Sequence, residues 1–236
     1  MLNIINASEI DHKKTTYLIY GGQGVGKTTS LKYLPGKTLI VDIDKSSSVL
    51  KGEKNIDIAE IDTSNIWEEW NKIVAELIKN PEYEERYDNI VIDNISELFR
   101  SSLENLGKLG KAQQGGVPGI QDYQKVDFLI LRAIRALNKL NLRLVFTAWE
   151  TTTEFNDGSG QIFNKFTPDI RKAIHNNVLG LMDVVARLTI RQDEDGEVKR
   201  GFILQPSNNV DAKNRLDDRK GCLVEELVQD KTDDVE

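Results

Sequence analysis

The chain has 236 residues, 39% of them apolar and 29% charged, proportions that suit one large α/β domain with a substantial core. Its formal net charge of −7 argues against nonspecific nucleic-acid binding by the surface as a whole, though not against a local basic site. The single cysteine, Cys222, excludes an internal disulfide, no Cys/His grouping has zinc spacing, and the apolar runs are far too short to span a bilayer.

Residues 1–16 are a polar lead-in with no basic flank followed by a long apolar segment, so a cytoplasmic location is expected. Tyr17 to Tyr20 reads as the first strand, and it runs into Gly21-Gly22-Gln23-Gly24-Val25-Gly26-Lys27-Thr28-Thr29. Thr28 to Leu34 reads as a helix ended by Pro35-Gly36. Thr38 to Asp44 is a continuous apolar run ending in acids, as a buried parallel strand would be, and Ile56 to Ile61 alternates like a shorter edge strand. Ser64 is a candidate N-cap for a helix whose apolar face carries Trp67, Trp70, Ile73, Val74, Leu77 and Ile78, with Pro81 just past its end.

Asn89 to Asp93 is the next buried strand, followed by a helix from about Ser96 to Leu106. Gly107 to Gly119 has loop chemistry, Tyr123 to Leu140 an amphipathic helical period, and Leu142 to Ala148 reads as a strand. Thr151 to Thr167 reads as a second long polar loop with a turn at Asn156-Asp157-Gly158-Ser159-Gly160. After a short helical segment, Val184 to Gln192 and Arg200 to Pro206 read as paired antiparallel strands. The acidic blocks, Glu82-Tyr83-Glu84-Glu85, Asp193-Glu194-Asp195 and the tail 225–236, read as solvated turns and a tail. The whole, 1–236, is expected to be one domain with a mostly parallel central sheet flanked by helices and antiparallel strands at one edge.

The run from Gly21 to Thr28 fits G-x-x-x-x-G-K-[ST], the phosphate loop. Glycines let backbone N–H groups turn inward and approach phosphate oxygens, and Lys27 would place a compact positive charge on the β- and γ-phosphates. The Thr28 hydroxyl would be a ligand of Mg²⁺, and the following helix would aim its positive end at the same anion. Asp93, at the end of its strand, would hold Mg²⁺ through the water shell; capping the next helix is the alternative for a polar strand end. Either Asp42 or Asp44, two residues apart at a strand end, could orient and deprotonate an attacking water, or simply solvate a turn.

The phosphate loop, Asp42-Ile43-Asp44, the strand Asn89 to Asp93 and a late Lys213-Asn214-Arg215 together resemble the ATPase core of the RecA/Rad51 recombinases. The compact length and Phe166-Thr167-Pro168-Asp169 look most like the small phage-encoded members, described as nucleotide-binding or single-strand annealing ATPases. The resemblance covers roughly Tyr17 to Arg215 and implies a RecA-like P-loop fold that binds ATP and Mg²⁺. It implies a catalytic role for Asp44, where the family has a glutamate one methylene longer, and a metal role for Asp93. The end of the strand Leu142 to Ala148 would sense the γ-phosphate; Trp149-Glu150 stands there. Lys213 and Arg215 resemble a cationic pair that reaches the ATP of a neighbouring subunit, so a homo-oligomer with ATP at the interface is implied; a solvated charged turn is the alternative.

The same resemblance makes 107–119 and 151–167 the segments facing DNA, with single-stranded DNA as partner and the host cytosol as location. Lys108, Lys111, Lys165, Arg171 and Lys172 could contact phosphates there, and Phe155, Phe163 and Phe166 could stack on bases or simply pack. His12 and His175 read as surface histidines. Together these features lead to a DNA-stimulated, Mg²⁺-dependent ATPase of phage recombination, annealing or replication. One rival is an ATP-gated annealing or assembly module with little hydrolysis. A small-molecule kinase is another, although the segment 151–167 has no arginine to form a lid.

Overall fold

The computed structural model describes residues 6, 15–110, 116–156, 160, 162–192 and 196–228. Its centre is a sheet in which five crossovers run parallel. β1 (Thr16–Gly21) lies between β5 (Arg143–Asn156) and β7 (Val184–Gln192), and beyond β5 come β4 (Asn89–Asp93), β2 (Thr38–Asp42) and the edge strand β3 (Ile56–Glu60). At the other edge β8 (Val198–Ile203) and β10 (Gly221–Leu223) add antiparallel, and the short β9 (Lys213–Asn214) pairs with the start of β7. The fold is therefore α/β, with a mostly parallel sheet and antiparallel strands at one edge.

The strand pattern follows from burial on both faces. Every residue of β1, β2 and β4 is buried, so these strands read as continuous apolar runs rather than alternations. Leu18, Tyr20, Val41, Ile92 and Phe146 face α2 (Ile66–Lys79), α4 (Ile95–Leu109), α5 (Ile120–Leu137) and α6 (Lys172–Leu181). On the opposite face Tyr17, Ile19, Ile40, Val91 and Val145 pack with Leu31, Leu34 and Leu227. Among the described residues, the cover of that face is α1 (Lys27–Ser30) with short 3-10 turns at Leu31–Tyr33, Ser47–Leu50 and Val224–Glu226.

Several expectations need correction. The segment after the phosphate loop is one α-helical turn, α1 (Lys27–Ser30), continued as a 3-10 turn over Leu31–Tyr33, so the helix dipole expected there is reduced to a single turn. Ser64 does not cap α2; Asp62 accepts the Ser64 N–H at 2.9 Å and starts a 3-10 turn that leads into the helix at Ile66. The acidic run at 82–85 lies in a short helix, α3 (Glu82–Arg86). The largest difference is at 151–167, which is no loop. β5 continues to Asn156, past its last pairing with β1 at Trp149, and pairs antiparallel with β6 (Ile162–Pro168) to form a hairpin. Residues 157–159, expected at its tip, and 111–115, within the expected first loop, lie outside the described residues, as does His12.

Among the described residues, no helix is long and apolar enough to cross a membrane.

Candidate nucleotide site

β1 ends at Gly21, and the chain turns there into the phosphate loop. A Cβ on Gly21 would stand 2.7 Å from the Leu188 carbonyl of β7, so only glycine lets the two strands run this close. Gly26 has φ 98°, the left-handed region that glycine enters without steric cost, and it hands the chain to α1. Lys27 follows, and its ammonium donates to the carbonyls of Gly21 and Gly22, both at 2.9 Å, folding the side chain over the loop. Burial lowers its pKa, against the opposing pull of Asp93, Asp44 and Glu150.

Sheet register brings the acids to the same place. β2 and β4 are neighbours, and Asp42 stands opposite Asp93. The Thr28 hydroxyl donates to Asp93 Oδ2 at 2.8 Å, the Ser46 hydroxyl approaches the same oxygen at 3.3 Å and Thr28 Oγ1 at 2.9 Å, and Thr147 donates to Asp93 Oδ1. Asp93 is 2% exposed. Burial holds its carboxyl above the usual carboxylate range despite the hydrogen bonds from Thr147 and Thr28, and the charges of Asp44 and Asp42 push the same way.

The alternatives for Asp42 and Asp44 separate cleanly. Asp42 accepts the backbone N–H groups of Ser46 and Ser47, one on each oxygen at 3.1 Å, and so shapes the turn after β2. Asp44 accepts the Asn94 side-chain amide through Oδ2, while its Oδ1 is buried with no hydrogen-bond partner. Asn94 also caps α4 by accepting the Glu97 N–H at 2.7 Å, so the helix N-terminus after β4 orients Asp44. The capping role considered for Asp93 belongs to Asn94.

These observations test whether Mg²⁺ suits the site. A lone pair buried without a donor on Asp44 and a carboxyl raised by burial on Asp93 both mark a deficit of positive charge. Among the described residues no three acidic, His or Cys side chains stand close enough to hold a metal alone. That is the expected condition where a hydroxyl, water and phosphate oxygens make most of the shell, as around Mg²⁺. The residues fit the ion.

Three residues of the site had no sequence signal beyond being polar: Ser46, Thr147 and Arg200. Arg200, on β8, donates from Nε to the Val25 carbonyl at 3.1 Å, so the antiparallel edge pins the phosphate loop from outside. Beyond the loop, Glu150 pairs with Arg187 at 2.7 Å, and Glu150 Oε1 lies 4.0 Å from where a Cβ on Gly22 would be. The strand end expected to carry a phosphate-sensing polar group thus presents Glu150 beside the loop. Trp149 turns away, with the Arg100 guanidinium 4.6 Å over its ring.

Lys213 and Arg215 are not near this loop. β9 places Lys213 opposite Val185, which is itself opposite Leu18, so it lies three positions back from Gly21, or roughly 10 Å along the strand. The Lys213 ammonium donates to the carbonyls of Leu179, Gly180 and Met182, capping the C-terminus of α6. Arg215 is exposed. Neither can serve the nucleotide of its own chain from these positions.

The cations expected to face DNA are mostly engaged. Lys108 pairs with Glu104, Lys165 with Asp211, and Arg171 donates through two nitrogens to Asp127; Lys172 is exposed, and Lys111 lies outside the described residues. The Phe166 ring lies under the Arg187 guanidinium at 3.6 Å, and of Phe155 and Phe163 only the backbone pairing is described. His175 is not a plain surface residue: its Nε2 is 2.6 Å from the Thr167 hydroxyl, which also donates to Asp211.

A glycine-rich turn from a central parallel strand, a lysine and hydroxyl after it, and a carboxylate two strands away make the arrangement of a P-loop nucleotide site. The AAA domain family matches residues 13–216, and the chain belongs to it. No curated protein matches the chain. Among solved structures it is similar to a KaiC-like protein, PH0186, from the hyperthermophilic archaeon Pyrococcus horikoshii OT3, at 14% identity over 81% of this chain and 78% of that one, with a TM-score of 0.42. It is similar also to the flagellar accessory protein FlaH from Methanocaldococcus jannaschii, at 12% identity over 89% and 84% of the two chains, with a TM-score of 0.45. The family assignment rests on the match to residues 13–216 and on the site.

Proposed function

We propose that the chain binds ATP with Mg²⁺ at the phosphate loop and hydrolyses it, with single-stranded DNA as the partner that stimulates turnover in a phage recombination, annealing or replication role. The observation that carries the ATP part is the 2.8 Å hydrogen bond between the Thr28 hydroxyl and Asp93, which puts the two groups suited to Mg²⁺ beside Lys27. Thr28 would hold the ion directly and Asp93 through its water shell; the ion would neutralise phosphate charge. Lys27 would leave the Gly21 and Gly22 carbonyls for the β- and γ-phosphates. Asp44, held by Asn94 and with one oxygen unengaged, would accept the proton of the attacking water.

The DNA part rests on the resemblance to the recombinase core and on the β5–β6 hairpin with the exposed Lys172 just after it. One observation favours the rival reading, an ATP-gated module with little turnover. Lys108, Lys165 and Arg171 are held by acids in the free chain, so contact with phosphates requires an exchange of partners that nucleotide binding could drive.

The test is ATP turnover with and without single-stranded DNA, wild type beside Lys27→Ala. Stimulation that disappears in the variant supports the ATPase reading. Tight ATP binding by Lys27→Ala would refute the site, and unstimulated wild type that still binds ATP would leave the gated module.

A further inference from the structure

The outward face of α5 is basic in a chain whose net charge is −7. Gln121, Gln124, Lys125, Phe128, Arg132 and Arg135 are all exposed, and they recur at three- and four-residue spacing, so they form one stripe along the helix. At 1.5 Å per residue the stripe is about 21 Å long. Lys139, in the turn just past the helix end, is exposed as well. No acid interrupts the stripe. The two acids of α5 are buried: Asp122 accepts the Gly119 N–H and pairs with Lys125, and Asp127 is taken by Arg171. The helix that follows Arg171, α6, contains no acidic residue either. The side chains of Arg132, Arg135 and Lys139 have no partner among the described residues, whereas Lys108, Lys165 and Arg171 are held by acids. In the middle of the stripe the Phe128 side chain stands 74% exposed, with Lys125 three residues before it and Arg132 four residues after.

We propose that the outer face of α5 binds single-stranded nucleic acid, with a base stacked on Phe128 and backbone phosphates on Arg132, Arg135 and Lys139. The proposal rests on the DNA part of the function proposed above and gives it a place on the molecule. Charge complementarity supports it: unengaged cations with no acid among them attract a polyanion, and each phosphate they neutralise releases counterions. The ring adds what a duplex or an acidic protein cannot use, because only an unpaired base offers its flat face to an aromatic side chain. A second protein fits less well, since the centre of such an interface is depleted of charge. A lipid surface would call for a broad apolar face, and this stripe carries one phenylalanine.

Fluorescence anisotropy of labelled oligothymidylate, titrated with the full chain at several salt concentrations, tests it. The double variant Arg132→Glu with Arg135→Glu should weaken binding at least about tenfold. It should also lower the slope of log affinity against log salt by about 1.4, the share of two phosphate contacts on a single strand. Phe128→Ala should weaken binding about tenfold and leave the slope unchanged, as the loss of one stacked base would. Lys51→Glu with Lys54→Glu alters net charge equally at exposed positions elsewhere, and it should bind as wild type does. ATP affinity should be the same in all of these variants, which shows that they fold. Wild-type affinity in the α5 variants, or equal weakening by the Lys51 and Lys54 pair, would overturn the proposal and leave the DNA reading standing. Equal affinity for a duplex of the same length would overturn the stacking on Phe128. Wild type that binds no oligonucleotide at all would remove the DNA reading itself, and this surface with it.

Discussion

At Asp93 the folded chain holds a carboxylate that water would solvate better, and burial outweighs the hydroxyls of Thr147 and Thr28 that donate to it. In the unfolded chain this group loses its proton in the ordinary carboxylate range, whereas in the fold it keeps it to higher pH. The folded state therefore binds more protons across that window, and the stability tied to Asp93 falls as pH rises through it. We expect Asp93→Asn to raise the Tm of the protein at neutral pH in EDTA, and to leave it unchanged below the ordinary carboxylate range. The same variant should lose Mg²⁺-dependent turnover. A lower Tm at neutral pH would mean that the hydrogen bonds, not burial, dominate at this position. Lys213 offers a contrast. Its ammonium donates to three carbonyls at the end of α6, so Lys213→Ala should destabilise the chain by about 1–2 kcal/mol in denaturant titration. A loss of turnover in that variant would then report folding as well as chemistry.

Among the elements, the strap after β10 is tied down by one guanidinium as well as by the buried Leu227. Arg219 donates to the Glu226 carbonyl at 2.6 Å and the Leu227 carbonyl at 3.3 Å, and it pairs with Asp217 at 2.8 Å. The same guanidinium holds the Asp217 carboxyl down at about 2. A depressed carboxylate contributes stability above its unfolded pKa and loses it as pH falls toward the folded value, here from the ordinary carboxylate range to about 2. Arg219→Ala should cost about 1–2 kcal/mol at neutral pH and less near pH 2, where the pair with Asp217 is partly lost but the bonds to the Glu226 and Leu227 carbonyls remain, with faster hydrogen exchange confined to residues 221–228. Uniform exchange changes across the sheet would show that the strap is no separate unit. The elements also show where sequence reading reached and where it stopped. β1, β2 and β4 were legible because strands buried on both faces are continuous apolar runs. The β5–β6 hairpin was not. From Thr151 to Asn156 its residues are mostly Thr, Glu and Asn, with no apolar alternation to mark a strand, and the pairing with 162–168 is what makes it one.

For the whole molecule, the phosphate loop is a local signal, but the rest of the site is assembled by the sheet. Ser46, Thr147 and Arg200 reach it from three separate elements, and nothing in their own neighbourhoods distinguishes them from other polar residues. Asp44 and Asp42 looked equivalent because spacing alone separates them; in the structure the amides of Ser46 and Ser47 engage Asp42 in the turn after β2. Lys213 and Arg215 lie toward the opposite end of β1 from the loop, so any catalytic service from Arg215 must go to another subunit. We expect Arg215→Ala to leave Tm and ATP binding unchanged and to lower turnover only at protein concentrations where the chain self-associates, followed by sedimentation beside the ATPase assay. Equal turnover at every concentration would remove Arg215 from the active site.

The central place of β1 also bears on how the protein is made. Its two sheet neighbours are β5 and β7, so the strand carrying the phosphate loop has no partner until residues 143–192 have been synthesised. On the ribosome, this strand, buried along its whole length in the fold, emerges well before the strands that cover it. Long-range parallel pairing of this kind folds slowly and leaves the nascent chain exposed to aggregation. A ribosome-stalled chain ending before Arg143 should therefore recruit chaperones, and release of one extended past Gln192 should end that need.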